Sequence, residues 1–107
     1  MNENIQNEIN IIKEIILQTV PAVAIYLFGS HAYGTPNETS DFDIYVVVPD
    51  DIFDLTELYA DIQGLLRKKK IISLDLLLGR SCVFNRRKNG PTLEKIIASR
   101  GTLLYGA

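Results

Sequence analysis

The chain has 107 residues, 47% of them hydrophobic and 22% charged, and a net charge of −2, which sets the expectation of a single globular domain over residues 1–107 with no separate substrate domain. No apolar run approaches the roughly 20 residues a membrane helix needs, so no membrane partner is expected. A single cysteine, Cys82, excludes an internal disulfide and a cysteine-based zinc site, and the polar residues after Met1 do not read as a signal segment, so a reducing, cytoplasmic setting is expected.

The small net charge hides a division. Residues 1–61 hold eleven acids and one base, Lys13, whereas residues 62–107 hold ten bases and two acids, Asp75 and Glu94. Such asymmetry points to an anionic partner for the basic half, whether a nucleoside triphosphate, RNA or an acidic protein surface. The alternative is that the two halves neutralise each other across the folded surface.

Ile5, Ile9, Ile12, Ile16 and Val20 recur at steps of three and four, which predicts an amphipathic helix over residues 3–20 ended by Pro21. Ile11, Ile15 and Leu17 widen its stripe, enough to face either a sheet or a partner chain. Ala22 to Phe28 is a continuous apolar run, which fits a strand covered on both faces. It delivers Gly29-Ser30 and a short helix at Ala32-Tyr33, where glycine permits close backbone approach and turn N–H groups can cradle an anion. The polar segment Thr35 to Ser40 reads as a loop over the mouth of a site.

Asp41 and Asp43 open the next strand, which runs from Asp43 to Val48 and stops at Pro49. Alternation puts Asp41 and Asp43 on one face and Phe42 on the other. Two like charges so close call for a cation between them, and carboxylate oxygens suit Mg²⁺ or Mn²⁺. Residues 54–68 predict a helix capped by Asp54, with the basic run Arg67 to Lys70 at its carboxyl end. A crossover then leads to a strand, Ile71 to Leu78, halted by Gly79. Asp75, in the middle of that apolar strand, needs a pairing, a hydrogen bond or a metal, or else an edge position facing water.

A helix over Ser81 to Lys88 follows, with Val83 and Phe84 inward. Pro91 is expected as the first residue of a last helix, Thr92 to Ser99, with Leu93, Ile96 and Ile97 inward and Gly101 as its C-cap. Thr102 to Tyr105 closes as a short strand. From the residues alone the chemistry is a carboxylate-held divalent metal beside a phosphate cradle, hence phosphoryl or nucleotidyl transfer.

Gly29-Ser30, ten residues and then Asp41-x-Asp43 resembles the signature of the nucleotidyltransferase superfamily with a DNA polymerase β-like core. Within it the chain is similar to the minimal nucleotidyltransferases related to kanamycin nucleotidyltransferase, and its helix, Arg-Gly and apolar ending resembles theirs. The resemblance implies an α+β fold, a polymerase β-like palm whose small mixed β-sheet carries helices mainly on one face. It implies that Asp41 and Asp43 hold Mg²⁺ on the phosphates of ATP, that Asp75 completes a catalytic, metal-binding triad, and that Gly29 and Ser30 hold the terminal phosphates. A basic side chain such as Lys69 or Arg80 would neutralise them.

The resemblance also implies a partner, an all-helical HEPN toxin that receives AMP on a tyrosine, with this chain as its antitoxin. Two departures stand out. Tyr33 occupies the place where many relatives carry Arg and reads as a core lid rather than a platform stacking on a base, and His31 follows Ser30 either as a phosphate contact or as a surface residue. Two other readings stay open: a non-catalytic module that neutralises its partner by contact, and a small-molecule, aminoglycoside-type nucleotidyltransferase working as a homodimer. No aromatic–basic stacking platform is legible, so a nucleic-acid partner is not expected.

Overall fold

Ile9, Ile12 and Ile16 fall on one stripe of the first helix, α1 (Glu3–Thr19), and are fully buried against a sheet. A computed structural model describes residues 3–33, 41–71 and 74–106 of the chain. After α1 come β1 (Ala24–Phe28), α2 (Ser30–Tyr33), β2 (Phe42–Val48), α3 (Leu55–Lys68), β3 (Leu74–Arg80), α4 (Ser81–Arg87), α5 (Leu93–Arg100) and β4 (Thr102–Gly106).

The sheet has the order β3-β2-β1-β4. β1 runs antiparallel to both β2 and β4, whereas β2 and β3 are parallel, joined by α3 as the crossover that parallel strands require. The mixed sheet is the one expected.

Strand alternation divides the apolar side chains between two cores. Ile25, Leu27, Ile44, Val46, Val48 and Leu76 face α1 and the buried stripe of α3, Leu58, Ile62 and Leu66. Ala24, Tyr45 and Val47 face the other way, against Phe84 of α4 and Ile97 of α5. The two long helices thus share one face, and the short pair covers the end of the opposite face where β1 begins and β2 finishes.

The structure corrects several expectations. Of the two alternatives for the broad stripe of α1, the sheet takes most of it: of the large apolar side chains of α1 only Ile11 is exposed. β1 starts at Ala24 rather than Ala22. Gly79 does not stop β3 but lies within it, because the Tyr45 ring occupies the space a side chain at residue 79 would need. Pro91 lies outside α5, whose N-cap is Thr92, its hydroxyl oxygen accepting from the Lys95 N–H at 3.2 Å. Only Ile97 of the three expected apolar residues of α5 is buried; Leu93 and Ile96 are exposed, and Glu94 is turned inward instead.

Other expectations hold. Asp54 caps α3, its carboxylate accepting from the Glu57 N–H at 3.0 Å. Gly101 ends α5, where a side chain would press on the carbonyls of Ile97 and Leu27. The segment Thr35 to Ser40, expected as a loop over the site, lies outside the described residues, as do Gly34, Ile72 and Ser73 and the side chain of Tyr33.

Candidate active site

The turn after β1 is built around Gly29, whose φ of +73° is a left-handed conformation that glycine adopts without a Cβ penalty. Its carbonyl accepts from the Ala32 N–H at 3.1 Å and so starts α2 at Ser30. A side chain on Gly29 would overlap the carboxyl of Asp43, so only glycine lets that carboxyl lie against the turn. The antiparallel register explains the contact: Phe28, the residue before the glycine, pairs with Asp43.

Asp43 in turn pairs across the parallel ladder with Asp75. The expected coincidence of the two acids is therefore present. Asp43 is half-buried and Asp75 exposed on an edge strand, so the mid-strand acid is not desolvated as a central-strand position would make it. Burial pushes the Asp43 carboxyl above the usual carboxylate range; its hydrogen bond to Asp75 and the charges of Asp75 and Asp41 push the same way, while His31 opposes them. Asp41 is exposed and acts on Asp43 through its charge. Among the described residues no three such side chains converge tightly enough to form a finished metal cage.

His31 stacks on Phe42, with ring centroids 4.5 Å apart and planes inclined by 23°. Phe42 belongs to the larger core, so the imidazole is anchored from beneath while its charge reaches Asp43. That makes it part of the site's wall rather than a free surface histidine.

The cations distribute differently from expectation. Arg80 stands five residues beyond Asp75, about 16 Å along the strand, and is occupied elsewhere. Its Nε and Nη2 donate to the Ile52 carbonyl at 3.1 and 2.9 Å, and Nη2 donates to the Phe53 carbonyl at 3.2 Å. Arg80 is thereby removed as a phosphate contact. Lys69 is the exposed C-cap of α3, and the crossover brings the whole run Arg67 to Lys70 back to the end of the sheet where β3 begins, the end that carries Asp75.

The sequence reading missed a second polar cluster on the same sheet face. Tyr45 Oη donates to Glu94 Oε2 at 3.2 Å, and Arg87 Nε lies 3.1 Å from Glu94 Oε1 in an ion pair. Burial and the adjacent carboxylate push the Tyr45 phenol up to about 12. Burial opposes ionisation of Glu94, but its backbone hydrogen bond, Arg87 and Tyr45 together hold it below the usual value. The available signal was an acid among the apolar positions of α5. It could not name partners that stand seven and forty-nine residues away in the chain.

Comparison with known proteins agrees with this geometry. A family model for the nucleotidyltransferase domain matches residues 9–104. No curated protein matches the chain. Among solved structures, a toxin–antitoxin with AMP-PNP is 27% identical with a TM-score of 0.62, over 94% of this chain and 74% of that one. The toxin–antitoxin MntA–HepT gives 22% identity and a TM-score of 0.59, over 95% and 73%. A tri-AMPylated Shewanella oneidensis HEPN toxin in complex with an MNT antitoxin gives 22% and 0.57, over 95% and 72%. At that identity the last two establish the fold alone.

Proposed function

Because the chain belongs to the nucleotidyltransferase domain family, we propose that it transfers AMP from ATP to a hydroxyl of a partner protein, a tyrosine of a HEPN-type toxin, and acts as that toxin's antitoxin. The observation that carries the reading is the meeting of three elements: Asp43 is paired with Asp75 on β3, and its carboxyl lies against a glycine turn with space for nothing larger than hydrogen. The substrates proposed are those of similar structures. One of those structures holds AMP-PNP and another an AMPylated HEPN toxin.

The carboxylates suit a hard divalent cation, because they offer oxygen ligands and disfavour one another's ionisation. Asp41, Asp43 and Asp75 would hold Mg²⁺ or Mn²⁺, which when bound neutralises the triphosphate and makes its α-phosphorus more electrophilic. Gly29 and Ser30 bind the terminal phosphates through the turn's backbone N–H groups and the Ser30 hydroxyl. The run Arg67 to Lys70 adds positive potential at the same end of the sheet. The acceptor oxygen attacks the α-phosphorus, the bond from that phosphorus to the bridging oxygen breaks, and pyrophosphate leaves. Asp75, the more exposed of the paired acids, takes the hydroxyl proton.

Calorimetric titration with ATP and Mg²⁺ tests the site on the wild type and on the double variant Asp41→Asn/Asp43→Asn. Binding by the wild type that the variant loses supports the reading. Absence of binding by both would assign the chain to a contact-only module.

A further inference from the structure

The apolar surface that the sequence placed on the first helix is found elsewhere. Phe53, in the connection between β2 and α3, is 97% exposed, and Tyr59 of α3 and Leu77 of β3 are 42% and 38% exposed. Beside them a groove of about 310 Å³ runs between α3 and β3, lined by Leu55, Thr56, Tyr59, Leu76, Leu77 and Leu78. β3 is an edge strand, so the groove lies along an unpaired border of the sheet.

This surface is held in shape. The three hydrogen bonds from Arg80 fix the carbonyls of Ile52 and Phe53 to the end of β3, two residues past Leu78. The Ile52 N–H donates to the Pro49 carbonyl at 3.3 Å, Asp54 caps α3, and the Asp50 carboxylate accepts from the Cys82 N–H at 2.8 Å. A large aromatic side chain in water on a fixed loop is already arranged for burial, and little ordering entropy opposes its docking.

Charge decides the occupant. The loop and the first residues of α3 that border the groove bring Asp50, Asp51 and Asp54, against one cation, Arg80, which is engaged with the carbonyls of Ile52 and Phe53. A two-fold pairing of this face with its copy would set those acids against each other. We propose that the α3–β3 face is the docking surface for the partner protein, and that a basic amphipathic helix occupies it, with its apolar stripe in the groove and its Lys and Arg residues on the rim. The inference rests on the reading that the chain works with a protein partner, and not on the transfer chemistry.

The test is fluorescence anisotropy with a labelled model helix of Leu and Lys, alongside the same peptide with Glu for Lys. Both are titrated with wild type, with Phe53→Ser and with Asp51→Lys. The changed side chains are exposed, and far-UV circular dichroism verifies the fold. The expected result is binding of the basic peptide alone, weakened at least about tenfold by either variant. Equal binding of both peptides, equal binding by the variants, or no binding by the wild type overturns the proposal. So does a wild-type dimer in sedimentation that Phe53→Ser dissolves, because it assigns the face to a second copy. ATP titration of the same samples separates failure of docking from failure of the nucleotide site.

Discussion

Asp43 on β2 stands directly across the parallel ladder from Asp75 on β3, with its carboxyl lying where a β-carbon on Gly29 would have to be. The site is thus assembled by strand register: a one-residue slip would turn one of the acids into the opposite core.

That pairing trades stability for chemistry. Asp43→Asn removes a half-buried like charge, so the variant should gain about 0.5–1 kcal/mol, a rise in melting temperature of roughly 3–6 °C for a domain of this size. Transfer activity should fall by about two orders of magnitude or more. Folded Asp43 holds its proton more tightly than the unfolded chain does. Its contribution to stability is therefore complete below the ordinary carboxylate pKa and fades as pH rises through the raised value. Melting curves from pH 3 to 7, without divalent metal, should show this fading in the wild type and not in Asp43→Asn.

Gly29→Ala combines two penalties. The left-handed backbone costs a non-glycine residue about 1–2 kcal/mol, and the new methyl group must displace the Asp43 carboxyl. Urea denaturation should show a lowered midpoint, and ATP titration a loss of affinity beyond what the loss of stability explains.

Tyr45 and Glu94 bind α5 to the sheet and set two pH limits. The Tyr45 phenol is pushed up to about 12 from 10.0, so its stabilisation is whole below pH 10 and lost as pH rises to 12. Glu94 is held below its usual value, so its stabilisation is whole above that value and lost on acidification. Tyr45→Phe should cost about 1–2 kcal/mol at neutral pH and flatten the alkaline limb of a stability profile followed by circular dichroism. The acid limb should survive.

Lys70 has φ +62°. The Lys70 N–H donates to the Arg67 carbonyl and the Ile71 N–H to the Leu66 carbonyl, the pattern of a Schellman ending with lysine where glycine is preferred. Lys70→Gly should therefore stabilise the fold by about 0.5–1 kcal/mol, measured as a higher denaturation midpoint. Weakened ATP binding in the same variant would show that the strain is retained for the charge.

Periodicity made the elements legible: the isoleucines of α1, the leucines of α3 and the apolar strands all announce their faces. Asp41 and Asp43 at the start of β2 were legible through alternation; Asp75 stood out as an acid on an apolar strand, although its edge position leaves it exposed. What escaped depends on contacts distant in sequence. Gly79 reads as a stop until Tyr45 is seen against it, and Arg80 reads as a free cation until it meets the carbonyls of Ile52 and Phe53. The burial of Glu94 has no sufficient local signal, because Tyr45 and Arg87, which satisfy its carboxylate, lie on other elements.

The central claim is that AMP passes from ATP to a partner's hydroxyl. The most direct measurement incubates the protein with a HEPN-type partner and Mg²⁺, using ATP labelled at the α-phosphate in one reaction and at the γ-phosphate in another. The account predicts label on the partner from the α-position alone, abolished by Asp41→Asn/Asp43→Asn. Transfer of the γ-label, or α-labelling undiminished in that variant, would contradict it.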